Sequence, residues 1–319
     1  YVDSLQKGLS CVEGKTERGP VNKAIYISSW PKFVENFGGL LTDSDFPLLC
    51  QRALARGACL WVGRVVHHSD ITDPSSITAK YSEVKAGDVL FRAPSPGAWG
   101  DSMKVVVSVN DDNSDNFDIV VYEDDKSVTS FENYTKDQVL TIKSDYLTVE
   151  AIKAEEESIF SVGTYVLTGG SDGDTLTDSD YIGDEAAGTG FHMFDEIDDA
   201  SLQVSAADTT SYAVAIAGHA YCENRKDLMY VSACPKGIKP QQAVNYRKGK
   251  GIDGTGSDTA FSTSYGALYY PHIKVLDILT NDTRLINPTG DVLGAYAYND
   301  NTGAEWFAPA GITRGKINN

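Results

Sequence analysis

The apolar residues of this chain change their spacing twice, and that change limits the fold more than any other feature. From residue 21 to residue 66 the pattern is strand, helix, helix, strand. Residues 21–27 are rich in β-formers, and Ser29 stands where an N-cap belongs, with Pro31 in the first turn and Phe33, Val34 and Phe37 behind it. Phe46, Leu49, Cys50, Ala53 and Leu54 then fall at i, i+3, i+4, i+7 and i+8, with Gly57 at the place of a helix C-cap. Residues 58–66, with Leu60, Trp61, Val62 and Val65, read as a buried strand. The same kind of unit returns at 201–234: a strand at 201–205, a helix over 209–226 with Tyr212, Ile216 and Tyr221 on its buried face, and a strand at 228–234. Strands alternating with helices build a mostly parallel sheet flanked by helices on both faces.

Between these units the period shortens. Residues 104–109 and 117–122 are β-runs joined by the polar turn 110–116, a hairpin pattern, and 139–142 and 146–152 continue as strands. No long helical period interrupts 85–168. The expected organisation is therefore an α/β body, contributed by 1–84 and 169–319, interrupted by an all-β, sandwich-like insertion at 85–168.

Length and charge narrow the function. At 319 residues the chain has room for about two domains of roughly 150 residues each. No run approaches the ~20 apolar residues of a membrane helix, and Tyr1-Val2-Asp3 does not open a signal region, so no membrane partner is expected. A start without Met and a stop at Asn319 read as a trimmed fragment of something longer. The net charge of −18 opposes nucleic-acid binding, which needs clustered Lys and Arg to release counterions. The acids gather at 111–125, 172–185 and 195–199, whereas Arg225, Lys226, Lys236, Lys239, Arg247, Lys248 and Lys250 share one stretch. Such segregation suits packing against an oppositely charged surface, with Lys236, Lys239, Arg247, Lys248 and Lys250 as the candidate interface; a solvated basic loop is the plainer alternative. Cys11, Cys50, Cys59, Cys222 and Cys234 show no C-x-x-C spacing and read as small buried hydrophobes of a reducing compartment.

Several motif matches lack the context their chemistry needs. Gly169-Gly170-Ser171-Asp172-Gly173 spells the G-x-S-x-G nucleophile elbow, and 164–167 supplies a strand before it. Residues 172–180 are rich in helix breakers, so the required helix is not expected, and no histidine stands in a triad context. Gly249-Lys250-Gly251-Ile252-Asp253-Gly254 spells the dinucleotide fingerprint without the strand before it or the helix after it, and reads as a flexible basic loop. The acids at 172–185 lack calcium-loop spacing and read as a solvated loop. His67 and His68 with Asp70 are neighbours whose side chains point apart on a strand end, a poor metal site. No metal, cofactor or catalytic residue is expected.

The C-terminal third contains Ser264-Tyr265-Gly266-Ala267-Leu268-Tyr269-Tyr270-Pro271, then Pro288-Thr289-Gly290-Asp291-Val292-Leu293-Gly294-Ala295-Tyr296-Ala297, then Ala308-Pro309-Ala310-Gly311. Pro288, Thr289 and Asp291 mark a helix start. Gly294 within that helix costs about 1 kcal/mol against Ala, which predicts close backbone approach by a neighbour. Trp306 and Phe307 read as a bulky anchor behind it.

Together with Gly97-Ala98-Trp99-Gly100-Asp101, Gly169-Gly170-Ser171-Asp172-Gly173 and Tyr221-Cys222-Glu223-Asn224-Arg225, these segments resemble the contractile tail sheath proteins of phages. The resemblance implies a subtilisin-like body with a β-sandwich module and a structural, non-enzymatic role. It implies a virion tail protein, assembled in the host cytoplasm, whose partners are other sheath subunits, the tail tube protein, and the baseplate and tail terminator proteins. The family region that follows Ala308-Pro309-Ala310-Gly311 and links neighbouring subunits is missing here. The sheath of a bacteriocin or type VI secretion system is an alternative within the class; a subtilisin-like hydrolase using Ser171 is one from another class.

Overall fold

The computed structural model describes residues 8–152, 161–198, 203–206, 208–303 and 307–317. They form two compact units. The first comprises Tyr1–Thr16, Pro20–Ser76 and Leu176–Asn319. Numbered along the chain, it contains β1 (Leu9–Gly14), β2 (Ala24–Ile27), β3 (Cys59–Arg64), β11 (Gln203–Ala206), β12 (Met229–Ala233) and β13 (Gly266–Tyr269) in one sheet of order β13-β12-β11-β1-β3-β2. All neighbours run parallel except β2, which is antiparallel to β3.

Every residue of β1 is buried, so no alternation of polar and apolar residues was available to mark it. The strands feed two cores. Val12 and Val231 enter one, while their chain neighbours Cys11 and Tyr230 enter the other, as the two-residue period of a strand dictates.

The first core is closed by α1 (Trp30–Phe37), α2 (Phe46–Leu54) and α7 (Thr289–Thr302), through Phe33, Phe37, Phe46, Leu49 and Leu293. Ser29 is the N-cap of α1, and Gly57 takes φ +88 just beyond α2. The close approach expected at Gly294 occurs one turn earlier. A side chain at Gly290 would strike the Leu49 backbone, whereas one at Gly294 would meet the Arg56 side chain, its Cβ nearest at 3.0 Å.

The second core lies under α5 (Tyr212–Arg225). Its buried stripe is Val214, Ala215, Gly218, His219, Tyr221 and Cys222; it includes the expected Tyr221 and is rotated from the expected Tyr212 and Ile216, which are half-buried and still pack against this core. Gly218 explains the rotation: the Tyr230 ring occupies the space a side chain there would need. A separate hairpin, β14 (Ile273–Asp277) and β15 (Asp282–Ile286), is paired along its whole length.

The second unit comprises Glu17–Gly19 and Ile77–Thr175. One sheet has the order β4 (Glu83–Ala86), β5 (Val89–Arg92), β9 (Thr148–Ala151). The other runs β10 (Gly163–Val166), β6 (Met103–Val109), β7 (Phe117–Glu123), β8 (Lys126–Tyr134). Phe91 and Val149 from the first sheet share a core with Val105, Val107, Ile119 and Val121 from the second, which makes the unit sandwich-like. The expected hairpin is β6 and β7. The strand expected at 139–142 is instead the end of a short helix, α3 (Lys136–Leu140), and the residues just after it. Thr135 and Gln138 form a reciprocal capping box that starts a helical turn and still delivers Val139 and Leu140 to the core.

Candidate functional site

Three places answer to the residues that the sequence singles out, and one more does not. The first joins two glycine-rich segments that lie far apart in the chain. Asp101 Oδ1 accepts hydrogen bonds from the Gly170 backbone N–H at 2.9 Å and from Ser82 Oγ at 2.7 Å. Asp172 Oδ1 accepts one from the Ala98 N–H at 3.0 Å. Gly97 (φ +141), Gly169 (φ +88) and Gly173 (φ +83) take conformations open to glycine, and a side chain at Gly170 would collide with Ser82 and the Gly97 carbonyl. Gly100 packs on Ser82 and Ala93. Trp99 is buried, with the Arg18 guanidinium 5.2 Å from its ring centre, and Arg18 also bridges to Glu123 at 2.9 Å. These residues fasten the sandwich-like unit.

Ser171 sits in the same knot, bridged through its backbone to Lys80, and its Oγ accepts the Gly173 N–H at 3.2 Å. No helix follows it until α4 (Asp178–Ile182), so the strand-turn-helix of a nucleophile elbow is not formed.

The second place is the basic stretch. Lys236, Lys239, Arg247, Lys248 and Lys250 are all exposed, around α6 (Pro240–Arg247). None has an ion-pair partner among the described residues. Arg225 differs: it bridges to Asp227 at 2.8 Å and donates to the Phe194 and Ile197 carbonyls, a structural task.

Buried Tyr246 holds α6 in place, its hydroxyl donating to the Thr210 carbonyl at 2.8 Å and its ring meeting Tyr212 and Phe261. The loop after it, expected as a flexible basic loop, is hydrogen-bonded within itself and to the end of α6. Gly256 N–H donates to the Lys250 carbonyl at 2.7 Å, Asp258 N–H to Gly249 at 2.8 Å and Phe261 N–H to Arg247 at 2.9 Å. Gly249, Gly251 and Gly254 have positive φ as turn residues, and the motif follows a helix, contrary to a dinucleotide fingerprint.

The third place lies at the carboxyl ends of the central parallel strands, and sequence reasoning missed it. Glu13, at the end of β1, is fully buried, and neither carboxylate oxygen has a hydrogen-bond partner among the described residues. Burial, with the nearby Asp208 charge, pushes its pKa well up. Asp208, just past β11, is likewise raised by burial, although it accepts bonds from Ser44 Oγ at 3.1 Å and Lys15 N–H at 3.3 Å. Tyr181 is raised by burial and by the Asp208 charge.

Asp180 in α4 behaves oppositely. Burial opposes its charge, but His68, His67 and the backbone N–H groups of His68 and Thr177 outweigh it and hold the carboxyl well below its usual range. Its Oδ2 lies 2.9 Å from His67 Nδ1, and its Oδ1 accepts the His68 N–H at 3.0 Å. The acid-rich segment is thus not a uniformly solvated loop, because Asp180 turns inward to fasten the residues after β3. Asp70 takes no part in this cluster; its carboxylate caps the exposed turn at Thr72. No group of three His, Cys, Asp or Glu among the described residues is placed to hold a metal ion.

The fourth place is formed by part of the C-terminal motif. Tyr270, Pro271 and Pro309 line a cleft of about 180 Å³ with Ile273, Val292 and Tyr296. Tyr270 donates to the Ile238 carbonyl at 3.0 Å, and the Tyr269 and Tyr296 hydroxyls lie 3.1 Å apart. Tyr265 packs instead against the second core, and Gly311 (φ +77) opens the short helix α8 (Gly311–Arg314), where a side chain would meet no atom of the described residues within 4 Å. Trp306, expected as an anchor, lies outside the described residues; Phe307 is exposed.

Among the described residues no helix is long and apolar enough to cross a membrane. Residues 75–172 match the phage tail sheath protein beta-sandwich domain. The sheath tail protein of Desulfitobacterium hafniense is 17% identical over 92% of this chain and 59% of its own, with a TM-score of 0.59. That of Listeria innocua is 15% identical over 92% of this chain and 57% of its own, with a TM-score of 0.63. The chain thus spans less than two thirds of the length of these proteins. No curated protein sequence matches it significantly. Residues 75–172 thus resemble the phage tail sheath β-sandwich domain in sequence, and over 92% of its length the chain shares the fold of these sheath tail proteins.

Proposed function

We propose that this chain is a structural protomer of a contractile tail sheath, which polymerises around a tail tube and contracts to drive the tube through a host envelope. The observation that carries this reading is the match of residues 75–172 to the sheath β-sandwich domain. The mostly parallel six-stranded sheet supports the subtilisin-like plan of the other unit. The work is conformational: an extended polymer of higher free energy relaxes to a contracted one, with no catalytic site or cofactor. Ser171, held as a turn acceptor, favours this over a hydrolase, and labelling with a serine-reactive phosphonate tests that directly.

The proposed partners are sheath copies, the tube, the baseplate and the tail terminator, in a particle assembled in the host cytoplasm. The five exposed cations around α6, without an ion-pair partner among the described residues, are the proposed contact with an acidic sheath or tube surface. Electron microscopy of the full-length protein should show tubes, and their absence would remove the reading. Arg247→Glu, Lys248→Glu and Lys250→Glu together should impair tube formation in a salt-sensitive way; normal tubes would reduce the stretch to a solvated face. A capsid gene beside this one would favour a phage over a bacteriocin or secretion sheath.

A further inference from the structure

A cavity of about 330 Å³ in the first unit is lined by two cations and, among the described residues, by no acid. Its walls are Ala55 and Arg56 just past α2, Tyr298 on α7, and Ile312, Thr313 and Lys316 on and after α8. Neither Arg56 nor Lys316 forms an ion pair among the described residues. Arg52, one helical turn before Arg56, shows the contrast. It reaches α7 at Asp291 and bridges to that buried carboxylate at 2.6 Å. Arg56 reaches α7 one turn further on, where the residues it meets are Gly294 and Tyr298 and neither is an acid.

Arg56 is nevertheless held in place. A side chain at Gly294 would meet its Cβ, Cγ and Cδ within 3.3 Å, so its stem lies on the bare backbone of α7. Its guanidinium carbon stands 5.8 Å from the centre of the Tyr298 ring. Its Nη1 is shut off from solvent and has no acceptor. A guanidinium in this position has given up part of its hydration without a hydrogen bond in return, a deficit that an anion on its cavity side offsets. The exposed lysines around α6 are solvated and carry no such deficit.

We propose that this cavity binds an oxyanion, with the Arg56 fork taking two of its oxygens, Lys316 supplying a second positive charge and the Thr313 hydroxyl a further donor. The anion is a free one such as phosphate, or a carboxylate side chain of another copy of this chain. Both present the same kind of oxygen to the same donors. The site does not depend on the sheath reading, because it is complete within one chain.

Calorimetric titration of the chain with inorganic phosphate at low ionic strength should saturate at one site per chain. Arg56→Gln should weaken that binding at least tenfold and Lys316→Gln several-fold. Lys32→Gln on α1, an equal loss of charge away from the cavity, should leave it unchanged. Arg56→Lys keeps the charge without the fork, should recover part of the loss, and serves in place of Arg56→Gln if that variant does not fold. For the carboxylate source, carbodiimide coupling of mixed isotopically light and heavy chains should join Lys316 to an Asp or Glu of a differently labelled chain, with a yield that Arg56→Gln lowers several-fold. Phosphate saturation without that cross-link assigns a free anion, and the cross-link assigns a neighbouring copy. Absence of both signals overturns the proposal. So does either signal if Arg56→Gln leaves it unchanged, or coupling of Lys316 only to a carboxyl of its own chain, which would mean that the chain fills its own cavity.

Discussion

Asp180 and Glu13 are both buried carboxyls of the same unit, 2% and 0% exposed, and they are opposites. Asp180 accepts from Thr177 N–H at 2.7 Å and Thr177 Oγ1 at 2.8 Å as well as from the residues after β3, and is held ionised. Glu13 accepts from no group among the described residues, and burial with the nearby Asp208 charge raises its pKa well above the usual carboxylate value. Burial alone therefore does not set the charge of a carboxyl in this fold; the donors that surround it do. One acts as a fastener between α4 and the end of β3, and the other is a weak point at the centre of the sheet.

Asp180→Ala should have the largest effect, because it strands the donors of His67, His68 and Thr177 together. A loss of about 3 kcal/mol is expected by denaturant unfolding. The native pKa of Asp180 lies below the unfolded one, so its contribution is complete above pH 3.8 and is lost as pH falls further. A loss below about 1 kcal/mol would reduce the contacts to surface-like ones.

Glu13→Gln should change a slope more than a midpoint. With a native pKa raised above 4.5, Glu13 keeps its proton after the unfolded chain has released one, so stability is full below pH 4.5 and declines as pH rises towards the native value. The decline is up to about 1.4 kcal/mol per pH unit for one proton. The variant should flatten the curve of melting temperature between pH 5 and pH 8 without abolishing it, because Asp208 contributes with the same sign. An unchanged slope would mean that Glu13 is ionised in the native protein.

Charge reversal at Arg247, Lys248 and Lys250 should change unfolding free energy by only about 0.5 kcal/mol or less, since these exposed cations have no ion-pair partner among the described residues. A larger loss would assign them a folding role like that of Arg225. Removing residues 77–175 and joining Ser76 to Leu176 should leave cooperative unfolding and both carboxyl titrations in place. His67 and Ile71 already contact Asp180 and Thr189, so the segments to be joined lie close together. Loss of cooperativity would show that the first unit does not fold alone.

Local elements were readable wherever a period of 3.6 or 2 ran over several residues: α1, α2, β3, the length of α5 and the β6–β7 hairpin. The glycine-rich segments at 97–101 and 169–173 and the C-terminal motif were also visible as spelling. What these residues do was not. Asp101 reaches Gly170 across 69 positions, His67 reaches Asp180 across 113, and Arg52 reaches Asp291 across 239 at 2.6 Å. The short helix α3 was hidden because a capping box acts through hydrogen bonds that an apolar pattern does not record.

The sequence by itself determined the alternation of helix and strand, the β-rich interval and the exposed cluster of cations, because periodicity, turn chemistry and net charge act over neighbouring residues. Tertiary structure decided the pairings. It alone placed the close helix contact at Gly290 instead of Gly294, left Glu13 without a donor among the described residues while surrounding Asp180 with several, and brought Arg56 and Lys316, far apart in the chain, to the wall of one cavity. The reason is physical: hydrogen bonds and van der Waals contacts depend on distances of a few ångströms in space, and chain folding makes those distances independent of separation along the sequence.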